Sequence, residues 1–190
     1  KVALGRNAES RELFESLDCE NMRIEWMIEQ LLPDVAIRVI EEAPLEKLGD
    51  CSHFGDAVRW VDTPCGTLYG GTVPLPHDFL RLVSFRMDDW QHAVNELTPP
   101  LSLDAELQHS PEPGLRGNPE SPRCFITPHA SGWMLAFNAC NSTEARIAEA
   151  LYIPLPIPDK AGAMRIPRLL IGDVVRVSAA EVSAQLGAPR

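Results

Sequence analysis

Four places in the chain bring together residue types that do chemistry elsewhere, and each lacks a partner that the chemistry needs. His77-Asp78 offers an imidazole beside a carboxylate. Adjacent residues of an extended chain point to opposite faces, so this pair does not make the oriented contact of an acid–base dyad. Asp88-Asp89 offers two carboxylates to a cation, without a further acid or histidine at a useful spacing, and is read as a solvated turn. Gly114-Leu115-Arg116-Gly117-Asn118-Pro119 has two glycines without the Gly-Lys-Ser/Thr of a phosphate loop and is read as an ordinary loop. Cysteines at 19, 51, 65, 124 and 140 form no Cys-x-x-Cys pair, which excludes a zinc ribbon or a dithiol redox motif of the usual spacing and leaves reduced structural thiols. No nucleophile elbow and no His-Glu-x-x-His helix occurs, so the chain is expected to be non-enzymatic, with no catalytic residues, metal ligands or cofactor.

Charge narrows the field further. Seventeen Lys and Arg against 27 Asp and Glu give a formal net charge of −10, opposite to what gripping a phosphate backbone requires. Function is therefore expected in assembly, through apolar and proline-rich surfaces, rather than in chemistry. The candidate interface residues are Leu13, Phe14 and Leu17, spaced for one face of a short helix, Trp90, and the prolines Pro99, Pro100, Pro111 and Pro113. Trp90 follows the turn Asp88-Asp89, so it is either folded back on the preceding strand or displayed to a neighbour. Trp26, Trp60 and Trp133 are assigned to core packing.

The elements that must position these residues follow from periodicity and punctuation. Residues 1–20 form an amphipathic arm. From Asn21, the apolar residues Met22, Trp26, Ile28, Leu31 and Leu32 recur with helical period, and Pro33 kinks the helix or opens a second one that ends at Pro44. Ala57–Val61 and Thr67–Tyr69 flank a probable hairpin turn. Pro74 and Pro76 introduce an apolar strand over 79–87, with Phe79, Val83, Phe85 and Met87 on one covered face, and Val94 returns beside it. Residues 97–122 hold six prolines and no periodicity, an exposed excursion expected to gain order against a neighbour. A hairpin brackets Pro128–Gly132. The alternation Ile153-Pro154-Leu155-Pro156-Ile157-Pro158 is expected at an edge or in a connector, because three ladder donors are missing. From Arg168 to Leu186 apolar residues leave only a narrow polar stripe, which calls for burial on most sides. The fold class is α+β: a helical module from 21–50 and 161–190, carrying an inserted antiparallel β-barrel or sandwich over 51–160. No run reaches the length of a membrane span. The lack of a secretory apolar region and the odd cysteine count fit synthesis and folding in a reducing cytoplasm.

Three features in order carry a resemblance. The helix ending Ile37-Arg38-Val39-Ile40-Glu41-Glu42-Ala43-Pro44, the segment Leu75-Pro76-His77-Asp78-Phe79-Leu80-Arg81-Leu82 running to Trp90, and the closing helix Ala179-Ala180-Glu181-Val182-Ser183-Ala184-Gln185-Leu186-Gly187 together frame most of the chain. In this order it resembles the head-to-tail adaptor (connector ring) proteins of short-tailed, crAss-like bacteriophages. The resemblance implies a virion structural protein in the neck or tail region. Its copies would form a closed ring, commonly twelvefold, between the portal and neighbouring tail or ring proteins. Double-stranded DNA would pass through the channel without sequence-specific binding. A small β-rich module that binds a peptide or glycan through the 97–122 and 128–132 loops is the alternative from another class, and an enzyme with a dispersed site is a third.

Overall fold

The computed structural model describes residues 5–49, 51–55, 57–61, 67–110, 112, 115–160 and 162–187, with side chains described from residue 22 onward. Among the described residues the class is mixed α+β, with three helices and two sheets. The chain divides into two compact units, one comprising Lys1–Gly49 and Pro156–Arg190 and the other Asp50–Leu155.

In the first unit, helix α1 runs from Gly5 to Glu42 with Pro33 inside it. Proline there removes one intrahelical N–H without ending the helix, so of the two alternatives at Pro33 the single helix is found, and it continues back through the arm. Pro44 closes the helix and opens a 3-10 turn at Leu45–Lys47. Helix α2 is a single short turn in the other unit, Leu103–Leu107, and α3 spans Ile171–Gly187. The α1–α3 seam is made by Val35, Ala36 and Val174, with Leu32, Val39 and Val177 packed around them. Lys47 pairs with Asp173 at 3.0 Å, and Arg38 pairs with Glu181. Numbering rises along one helix as it falls along the other, so the two are antiparallel.

The described residues of the second unit form eight strands: β1 Ser52–His53, β2 Arg59–Trp60, β3 Tyr69–Pro74, β4 Phe79–Met87, β5 Leu97–Thr98, β6 Cys124–His129, β7 Gly132–Cys140 and β8 Ile147–Pro154. They form a three-stranded sheet in the order β1-β8-β4 and a five-stranded sheet in the order β2-β3-β7-β6-β5. Neither is a closed barrel among the described residues, so the barrel of the barrel-or-sandwich expectation is corrected, while every strand pair except β5–β6 is antiparallel as expected. Both sheets contribute to one core in which Phe54, Phe85, Trp90, Phe137 and Tyr152 meet Val73, Met87 and Leu135. Phe85 of β4 and Phe137 of β7 lie 5.8 Å apart across it. Gly71 is required at this layer, because a Cβ there would lie 2.8 Å from the Phe137 ring and 2.6 Å from Val58.

Strand β4 covers the expected residues, but its faces differ from the alternation. The register steps from Leu82 opposite Tyr152 to Ser84 opposite Leu151, leaving Val83 as the extra residue of a bulge. Leu82, Phe85 and Met87 all enter the core, and Val83 is only half-buried. A bulge shifts the period-two pattern by one residue, which puts Leu82 in the place the alternation gives to Val83. Val94 does return, exchanging two backbone hydrogen bonds with Phe85 at 2.8 and 2.9 Å.

The proline alternation is corrected in part. Ile153 and Pro154 end β8, the central strand of its sheet, and only 155–158 form a connector. Successive N–H groups alternate sides, and that of Leu155 reaches the Asp78 carbonyl beside β4 at 2.7 Å. The missing N–H of Pro154 therefore falls on the β1 side, where that short strand has already ended.

Candidate functional site

The residues singled out for chemistry are placed in structural roles. Asp78 accepts a hydrogen bond from the Tyr152 hydroxyl at 3.1 Å, while His77 is exposed. Asp88 and Asp89 fasten the β7–β8 connection: the Arg146 N–H donates to Asp88 at 2.9 Å and the Asn141 N–H to Asp89 at 2.7 Å. Among the described residues no cluster of three His, Cys, Asp or Glu is arranged to hold a metal ion. Cys124 and Cys140 are buried thiols outside any disulfide. Burial pushes the Cys140 thiol well up, and the Asp89 carboxylate beside it adds to that. The Cys124 thiol is raised by burial first and by Cys140 second. Neither supplies a thiolate nucleophile. Cys65, and the side chain of Cys19, lie outside the described residues.

The candidate interface residues separate. Trp90 is buried, with its indole N–H donated to the Ala139 carbonyl at 3.0 Å and its ring edge-on to Phe137. It is folded back on β4 and is not displayed to a neighbour, because the core offers both an acceptor and aromatic contacts. Pro111, Pro113 and the side chains of Leu13, Phe14 and Leu17 lie outside the described residues. Pro99 and Pro100 are exposed, and Pro100 lines two adjoining depressions of about 450 and 280 Å³.

These depressions are built where the start of β4, the β6–β7 hairpin and the β5–α2 turn converge. Leu75, Phe79 and Leu80 wall the larger one, and Ala105 and Phe125 wall the smaller. Trp133 and Ile126 line both, and Trp133 is 54% exposed, contrary to its assignment to the core. The signal was its position immediately after Gly132, at the open end of a two-residue hairpin. Leu101, at the rim, has φ 62° and is almost fully exposed. A branched side chain held in the left-handed region and turned to water is strained, which is a feature of surfaces that grip a partner.

No protein-family model, curated protein or solved structure matches the chain.

The stretch expected to lack order of its own holds more than the sequence indicates. Ser102 caps α2 by accepting the Ala105 N–H at 3.2 Å. Gln108 is buried, and its side chain accepts the Gly117 N–H at 2.8 Å and donates to the Asp104 carbonyl at 3.0 Å. Its own carbonyl accepts from the Asn138 side chain at 2.8 Å. One glutamine thus pins both ends of the intervening loop to the sheet.

The helical unit carries a second surface. On α3 only one stripe is covered, by Val174, Ser178 and Val182, while Ile171, Val175 and Leu186 are about half exposed, as is Leu169 in the turn before it. The sequence expectation that this helix is buried on most sides is not met within the single chain. On α1, Met22 and Trp26 are 62% and 61% exposed. Among the described residues no helix is long and apolar enough to cross a membrane.

Proposed function

We propose that the chain is a non-enzymatic virion structural protein, a subunit of the ring that joins the portal to the tail of a tailed bacteriophage and lines the DNA channel. In this reading the two chain ends form a helical module that carries the β-rich region as an insertion, and the ring is commonly twelvefold. The observation that carries the reading is α3 with the turn before it, whose composition calls for burial on most sides while Leu169, Ile171, Val175 and Leu186 are about half exposed. Apolar surface of this kind is favourable to cover at roughly 25 cal/mol per Å², and a second copy is an economical cover. Closing a ring needs two different complementary surfaces on each subunit, and exposed apolar residues on both α1 and α3 supply the raw material. The resemblance of the order of sequence features to that of connector ring proteins supports the same reading. An acidic subunit also suits a lumen along which DNA slides without being held. Replacing Ile171 and Val175 with aspartate tests the reading. Assembly should be lost while the melting temperature of the monomer stays within a few degrees.

The groove around Trp133 favours the second reading, a module that takes an extended peptide or a glycan. Its aromatic floor, proline walls and strained rim residue fit such a ligand. Titration with proline-containing peptides and oligosaccharides, followed by Trp133 fluorescence, would detect it.

A further inference from the structure

The long α1 helix reaches well past its partner. At 1.5 Å per residue α1 is about 57 Å long and α3 about 26 Å. With Arg38 opposite Glu181, α3 ends about 9 Å farther on, near Leu32. The part of α1 that precedes it, including Met22 and Trp26, therefore cannot be covered by α3 of the same chain. Met22, Glu25, Trp26 and Glu29 fall within one arc of about 100° on this overhang, and all four are exposed. The outer stripe of α3 has the matching character with the opposite charge. Ile171 and Val175 form its apolar centre, Arg168 precedes it in the adjoining turn and Arg176 borders it, both exposed.

We infer that the overhang of α1 in one copy docks on the outer stripe of α3 in the next copy, with Met22 and Trp26 against Ile171 and Val175 and with Glu25 and Glu29 facing Arg168 and Arg176. The occupant is a second copy of this chain because each stripe presents an exposed apolar pair at i, i+4 spacing and the flanking charges are opposite, and because the overhang is too far from its own α3 to fill it. The contact is heterologous: the surface a subunit gives differs from the one it receives, so copies continue in one rotational sense until the ring closes. Arg176 already meets Asp173 of its own chain at 3.2 Å, an exposed pair that leaves its remaining donors available to a neighbour's carboxylate. This contact rests on the ring reading and assigns its geometry.

Two charge-reversed chains test it under whichever condition assembles the unaltered protein, alone or on a portal ring. One carries Glu25→Lys and Glu29→Lys, the other Arg168→Glu and Arg176→Glu. Each by itself should associate at least tenfold more weakly, since like charges then face each other. An equal mixture should recover assembly with the two chains alternating, read by native mass spectrometry as equal stoichiometry. Circular dichroism and melting of each variant establish that the helices remain formed. Should either variant assemble like the unaltered chain, or the mixture stay monomeric although both are folded, the α1–α3 contact is wrong while the ring reading stands. Should the unaltered chain assemble in neither condition, both fall.

Discussion

Trp90 donates its indole N–H to the carbonyl of Ala139, 3.0 Å away, so a residue on the turn after one sheet is tied to a strand of the other. The same ring stands edge-on to Phe85 and Phe137 at 5.6 and 5.4 Å. Trp90 thus closes the β core from both sides. Trp90→Phe should lower unfolding free energy by about 1–3 kcal/mol, chiefly through the unpaired carbonyl, and Trp90→Ala by about 3–5 kcal/mol. Denaturant midpoints would measure both. A loss below 0.5 kcal/mol for the alanine variant, on the order of an ordinary surface change, would contradict the burial.

The bulge in β4 makes a prediction that simple alternation reverses. Leu82→Ala should cost about 2–4 kcal/mol and Val83→Ala no more than about 1 kcal/mol, because only Leu82 stands in the shared core. Equal losses in chemical denaturation would mean that the register step at Leu82–Ser84 is absent.

Much of the β region was legible because apolar alternation and turn residues report locally. Strand 79–87 and the hairpin after Cys124 follow from Phe79, Met87 and Gly132 with little else needed. The facing of Leu82 was not legible, since a bulge is specified by how β4 meets β8 and not by the β4 residues themselves. Gln108 was missed for a similar reason. A polar side chain in a proline-rich stretch gives no periodic signal, and its buried role depends on the fold of the loop to Gly117 and on Asn138, which is distant in sequence. For the candidate site, Pro100 was read correctly as surface. Trp90 and Trp133 exchange the roles that composition suggests, because tryptophan suits a core and an interface equally well.

Gln108 should anchor the loop that follows α2. Gln108→Ala leaves the buried Gly117 N–H unpaired and should cost about 1–3 kcal/mol, with faster amide exchange at His109, Ser110 and Gly117. Unchanged exchange there would show that the loop is held by other contacts.

Leu101 holds a left-handed conformation that glycine adopts without strain. Leu101→Gly should leave the monomer as stable or stabilise it by up to about 1 kcal/mol, despite removing a large apolar residue. A thermal melt shifted downward by several degrees would mean that the Leu101 side chain supports the fold.

The buried thiols make a reactivity prediction. With their pKa values raised by burial, Cys124 and Cys140 carry negligible thiolate at pH 8 and should resist alkylation in the folded chain, then react at once in denaturant. Peptide mapping after brief alkylation would decide. Labelling of either at the rate of an unfolded thiol would contradict its place in the core.

Acid should weaken the α1–α3 seam through one carboxylate. Hydrogen bonds from Lys47 and then Arg176 hold Asp173 below its ordinary value of 3.8, so its contribution is complete above that value and is lost as pH falls through the lower folded one. Helical signal followed from pH 5 downward should fall less steeply for Asp173→Asn, and identical acid profiles would remove Asp173 from the seam.

The proposal that copies of this chain close into a ring is tested most directly by electron microscopy of the purified protein, alone and mixed with a portal ring. Ring-shaped particles with a central channel are expected in at least one of the two samples, and are lost when Ile171 and Val175 become aspartate. A folded chain that stays monomeric in both samples at every concentration would contradict it.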